Sequence, residues 1–275
     1  MTVAASRVGR DGRLTLRFER RGARTIVARC RYTLPLQVLA PVALDDAAAV
    51  VSVLNPTGGV VGGDALEIDV DVGPAAHACL TTPSATKVYR ASGAAATQHV
   101  IVRLAPGARL EWLPDHTIPH AGAAFRQRFL AQVDDGAALV AVDAFAAGRV
   151  ARGEAWRFAL LDSTLSVADR RGPILHDRFV LRDGGPSGLG ITERRPYFAT
   201  VIVVADTGVA AFTERVGAFA ADPDLEIGAG LLARRGAVVR CLAADAPALG
   251  RAVDAVWAAA RIEVLGVPPL ALRKT

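Results

Sequence analysis

The chain has 275 residues, of which 52% are apolar, 21% charged and 5% aromatic, with a formal net charge of +5. Apolar content of that size, spread along the whole length, builds a substantial core and excludes a disordered chain. The basic residues stand in isolated pairs such as Arg20–Arg21 and Arg234–Arg235, not in a run, so no nucleic-acid signature accompanies them; an arginine-biased solvated surface or an acidic protein partner remain as readings.

In chain order, the alternation of polar and apolar residues predicts strands over 13–19, 25–32, 50–54, 66–72 and 98–104. The 66–72 segment is the cleanest, with Leu66, Ile68, Val70 and Val72 on one face and Glu67, Asp69 and Asp71 on the other. Further strands are predicted over 125–133, 138–145, 157–161, 164–168, 174–181, 199–204 and 237–243. Turn chemistry separates them: Asp11–Gly12, Gly73–Pro74, Pro106–Gly107, Asp135–Gly136, Arg171–Gly172 and the stretch 183–186. The expected fold is therefore mainly β, a long antiparallel meander or sandwich-like body, with about two helices in the C-terminal third. The first helix is expected over 207–221, weakened by Gly208 and Gly217. The second is expected over 246–265, with Asp245 as N-cap and Pro247 in the first turn. Val253, Val256 and Trp257 on it face the core or offer apolar surface to a partner. One domain over 1–275 is expected, with a weak internal boundary at 183–190.

Segment 55–64, NPTGGVVGGD, is dense in glycine, yet it lacks the lysine and hydroxyl residue of a phosphate loop. Gly58, Gly59, Gly62 and Gly63 exceed the needs of a tight hairpin, which points to close backbone approach by another element. Asp64, at its exit, either caps the turn or lines a polar interior. Segment 81–90, TTPSATKVYR, packs Thr82, Ser84, Thr86, Lys87, Tyr89 and Arg90 around Pro83. Lys87 is one of two lysines among 32 basic residues. Ser84 with Lys87 as base, or Asp143 with Glu154 as acid and base, defines an alternative class, a β-rich hydrolase; the partner motifs of the Ser–Lys enzymes are missing. Asp115, His116 and His120 form a metal-binding candidate weighed against a plain polar loop. Arg149 pairs with Asp143 or Glu154 in a further reading. Cys30, Cys79 and Cys241 are odd in number and far apart, which argues against a disulfide framework and for a reducing cytoplasm. The N-terminus lacks the apolar core of a signal peptide, and no stretch of membrane-spanning length is apolar throughout.

Taken in order, GRLTLRFERRGARTIV (12–27), PLQVLAP (35–41), GGVVGGD (58–64), TTPSATKVYR (81–90), LEWLP (110–114), AGR (147–149), GE (153–154), ITERRPY (191–197) and PPLALR (268–273) make the chain resemble the UreD urease accessory family, called UreH in some bacteria. The resemblance covers nearly the whole length. It implies a β-rich fold with a few helices and a role without enzymatic turnover. Members bind UreF, which recruits the nickel-carrying GTPase UreG; the assembly docks on apo-urease and helps load its Ni²⁺ ions. The resemblance implies no tightly bound cofactor, only transient Ni²⁺ in a passage whose polar residues map onto Asp64, Asp143 and Asp177, with Thr82, Ala85 and Thr86 nearby. Carboxylates in a wet passage bind a travelling Ni²⁺ more exchangeably than thiolates do. The chain departs from the family pattern at Asp177, where glutamate is common, at Thr57, and in DHTIPHAGA (115–123) after LEWLP.

Overall fold

Inward-pointing apolar residues at every second position build β1 (Asp11–Arg21), where Leu14, Leu16 and Phe18 are buried. The computed structural model describes residues 10–39, 46, 48–186, 191–192 and 194–272. The end of the 183–190 stretch, Glu193, Arg273 and Lys274 lie outside them. After β1 come β2 (Arg24–Thr33), β3 (Gln37–Val38), β4 (Ala49–Leu54), β5 (Ala65–Val72), β6 (His77–Thr81), β7 (Thr86–Val88), β8 (Ala96–Leu104) and β9 (Arg109–Leu113). Next are β10 (Thr117–Pro119), β11 (Ala124–Val133), β12 (Ala138–Ala146), β13 (Leu160–Asp169), β14 (Gly172–Arg182) and β15 (Tyr197–Val204). The C-terminal third holds α1 (Val209–Gly217), β16 (Leu225–Leu231), β17 (Gly236–Ala243) and α2 (Ala246–Ala260), which runs into one π turn, Arg261–Leu265. Asp245 caps α2 as expected, accepting from the Ala248 amide at 2.7 Å.

Two sheets result. One runs β14-β13-β11-β8-β5-β1-β2 and the other β16-β17-β15-β12-β9-β6-β4-β3, with β7 and β10 attached beside β12. A core cluster fills the space between them, and a second cluster joins the outer face of the larger sheet to α1 and α2. Val256 and Trp257 belong to this second core.

The mainly β body with two C-terminal helices is as expected, but its pairing is not that of an antiparallel meander. β1, β5, β8, β11 and β13 pair in parallel, as do β4, β6, β9 and β12. Antiparallel pairs remain at β1–β2, β3–β4, β13–β14 and among β12, β15, β17 and β16. The reason is where the turns lead. The four-residue turns 73–76, 105–108 and 134–137 carry the chain from one sheet across to the other, so each strand returns beside its predecessor's predecessor. These turns stack: the Ala75 amide donates to Pro106 O at 3.2 Å and the Gly107 amide to Asp135 O at 3.1 Å. The return connections 55–64, 82–95, 114–123 and 147–159 are long and lie together at the opposite end of this coil. They hold four of the nine segments that carried the family resemblance, GGVVGGD, nearly all of TTPSATKVYR, AGR and GE. The strands expected at 157–161 and 164–168 are one strand, β13, entered through an extended segment.

Candidate functional site

Most inward positions between the sheets are apolar, and the exceptions line up. In β8 the phase of Val100, Val102 and Leu104 also holds Gln98; in β11 Phe125 and Phe129 flank Gln127; in β13 Leu161 and Leu165 flank Ser163. These three are neighbours in register. On the facing sheet Asp143 sits between Ala141 and Phe145 of β12, in register with Thr200 of β15, which is in register with Arg240 of β17. A polar seam thus crosses the apolar core.

Asp143 is its centre and is buried. Its carboxylate accepts from Gln127 Nε2 at 2.5 Å and from Ser163 Oγ at 2.7 Å. Burial pushes its pKa up to about 6, against the two hydrogen bonds; the Asp177 charge adds to the rise and Arg240 opposes it. Beside it lies a cavity of about 80 Å³, lined among others by Asn55, Thr82, Thr86, Gln98, Asp115, Thr117, Gln127 and Asp143. At the edge of the seam Asp177 bonds Arg240 at 2.7 Å, and Arg240 also donates to Thr200 Oγ1 at 2.5 Å.

The larger sheet is open next to Asp143. The β9–β12 ladder ends at Trp112 opposite Ala141, and β10 meets β12 only at Thr117 opposite Phe145. Pro114 stands in between, with no N–H to offer a ladder. Side chains tie the gap: Thr81 Oγ1 donates to Leu113 O at 2.8 Å, and Thr82 Oγ1 accepts from the Asp115 amide at 2.8 Å. A second cavity, about 260 Å³, lies on the outer side between this gap and α2, lined by Leu113–His116, Leu249, Val253, Asp254 and Trp257 among others. Pro114, Asp115, Val142 and Ala144 border both cavities.

The other residues singled out by the sequence fall in separate places. Asp64 caps the glycine loop: its Oδ2 accepts from the Val61 amide at 2.8 Å and Arg10 approaches at 3.5 Å. Among the described residues no three His, Cys, Asp or Glu side chains gather as a metal-binding group, so Asp64, Asp143 and Asp177 do not meet. Nor do Asp115, His116 and His120. His116 Nδ1 bonds Asp115 at 2.9 Å, whereas His120 stacks edge-on against Tyr89, because Pro119 and β10 turn the intervening chain away. The glycines permit the expected close approach. A Cβ on Gly59 would sit 2.6 Å from Lys87 O, and one on Gly62 would sit 2.8 Å from Ala91 Cα. Gly58 accepts from the Tyr89 hydroxyl at 3.2 Å, and Gly63 lies against Arg10. Ser84 and Lys87 are both exposed, with no hydrogen bond between them among the described residues. Glu154 is paired with Arg149, whose hydrogen bond holds its carboxyl below the usual range, and it lies apart from Asp143.

Sequence reasoning missed the densest polar group. Glu111, of LEWLP, is fully buried and accepts from His77 Nε2 at 2.7 Å, from Arg261 Nη1 at 2.6 Å and from Trp257 Nε1. Burial pushes the Glu111 pKa up, but His77, Arg261 and Trp257 outweigh it and hold the carboxyl low. Arg261, also fully buried, reaches Asp46 and Pro268 O as well. A carboxylate in the apolar run LEWL was the available signal. Gln127 and Ser163 were legible in the same way, as polar residues in an apolar phase.

The family model "UreD urease accessory protein" matches residues 10–275. The chain is 36% identical over 270 residues to a urease accessory protein UreD of Alkalilimnicola ehrlichii, covering 95% of this chain and 89% of that one. It is 35% identical over 274 residues to the UreD of Deinococcus radiodurans, with 99% and 98% covered. To the UreD of Klebsiella aerogenes it is 32% identical over 262 residues, with 95% of each chain covered. Motifs, fold and these matches agree that the chain belongs to the UreD family of urease accessory proteins.

Proposed function

We propose that this chain is a non-enzymatic scaffold of urease maturation in the cytoplasm, that it binds UreF and through it UreG, and that it docks on apo-urease. In this reading Ni²⁺, as cargo, crosses the chain along the polar seam and through the gap in the larger sheet. The observation that carries it is the placement of Asp143 on the inner of two cavities that share the Pro114–Asp115 border. An apolar core gains nothing from a buried carboxylate, since burial costs free energy unless the charge is used or well paired. Asp143, held by a neutral amide and a hydroxyl rather than by an arginine, keeps the negative charge available to a passing cation. Oxygen donors of this kind suit exchange better than storage.

Co-expression with UreF followed by size exclusion tests the scaffold; separate elution at all salt concentrations refutes it. Asp143→Ala tests the passage. The expected result is an intact UreF complex and urease with reduced nickel content. Unchanged nickel content removes the passage and leaves the scaffold.

A further inference from the structure

We propose that the outer edge of β2 is a docking edge for an extended, acidic strand of a partner protein. β2 ends the smaller sheet, and among the described residues β1 is the one strand that pairs with it. Half of its backbone N–H and C=O groups therefore face away from the sheet, the arrangement that recruits a further strand.

The edges at β14 and β16 are treated differently. β14 alternates between exposed and covered side chains, its Arg178 is bonded to Asp162, and Arg234 donates to Gly172 O and Pro173 O at its start. β16 alternates too and packs against α1. In β2 every residue from 28 to 33 is exposed, on both faces. Cys30 and Tyr32 lie opposite the buried Leu16 and Leu14, yet Tyr32 is 45% exposed.

The two faces state what the occupant looks like. One carries Arg29 and Arg31. Arg29 lies directly opposite Arg17, a like-charge pair that disfavours the hairpin by itself. The neighbouring ion pairs, Arg13–Glu67 and Arg17–Glu19, leave Arg29 and Arg31 out. The other face offers Cys30, Tyr32 and, just beyond the strand, Leu34, 50% exposed. The matching strand alternates acidic and apolar residues. A second copy of this chain does not fit, because antiparallel pairing of two such edges sets arginines against arginines.

The choice of probe rests on the scaffold reading. Hydrogen exchange of the full chain is compared free, with purified UreF and with apo-urease. The amides of residues 28–33 are expected to slow about tenfold or more in one of these complexes. Arg29→Glu combined with Arg31→Glu is expected to weaken that complex about tenfold and to lower its salt dependence. Both side chains lie in solvent and Arg29→Glu relieves the repulsion from Arg17, so the thermal midpoint of the free variant should not fall below the parent's, which separates lost docking from lost folding. Complexes that form while residues 28–33 exchange as in the free chain overturn the inference and leave the scaffold standing. Absence of any complex overturns both. Protection that appears with a doubled mass and no partner assigns the edge to self-association and overturns the acidic occupant.

Discussion

At Asp143 two demands oppose each other: a buried carboxylate favours its neutral form, while a cation needs the charged one. An unfolded aspartate titrates near 3.9, and this one is raised to about 6. Between those values the folded state holds a proton that the unfolded state has lost, so the residue's contribution to stability falls as pH rises from about 4 to about 6 and is level above. Asp143→Asn removes that dependence. Urea unfolding should therefore show the variant gaining on its parent by about 3 kcal/mol between pH 4 and pH 7. On the proposed passage, the same titration predicts that nickel delivery declines as pH drops below about 6, measured as nickel bound by urease in a reconstituted mixture. At this scale the sequence was partly legible. Asp143 came from the resemblance, and Gln127 and Ser163 were readable as breaks in an apolar phase. Arg240 was not, because its partner Asp177 stands 63 residues away on the other sheet.

Elements are held by groups that local pattern does not announce. The π turn after α2 delivers Arg261 to Glu111 and Asp46, which fixes the helical layer to the larger sheet. Arg261→Met leaves Glu111 charged and buried with His77 and Trp257 alone; a loss of about 3–5 kcal/mol is expected in urea unfolding. Adding Glu111→Leu should recover part of it, because an apolar pair replaces an unpaired charge. Gly59→Ala drives a methyl group into Lys87 O and Tyr89, and about 1–3 kcal/mol should be lost in the same assay. Half-buried strands such as β5 were legible from alternation, whereas β6, HACLT, is buried at all five positions and has no alternation to read. Parallel pairing was hidden for a different reason. A short Gly–Pro or Asp–Gly turn has the same chemistry whether it closes a hairpin or arches between two sheets. The recurrence of such turns about thirty residues apart, at 73–76, 105–108 and 134–137, was the missed clue.

For the whole molecule, three layers follow from one coil: sheet, sheet, then helices. The outer face of the larger sheet carries Val140, Val142, Val201 and Val203, covered by α1 and α2. Truncation after Ala243 removes α2 and uncovers its share of that face, and the product should be insoluble, or bind a hydrophobic dye strongly if recovered. The coil also sorts its loops, gathering the long connections at one end and the four-residue arches at the other. Insertions into the arches should break the stacking of the rungs, as scanning for soluble expression would reveal.

The Glu111–Arg261 contact joins residues 150 apart, and Arg261–Asp46 joins residues 215 apart. During synthesis each new rung of the coil can settle on the rung just made, since its pairing partners have already left the ribosome. Glu111 is different: it enters the nascent core long before its counter-charge exists. Until Arg261 is translated, the ribosome holds a body that is stacked but unlatched.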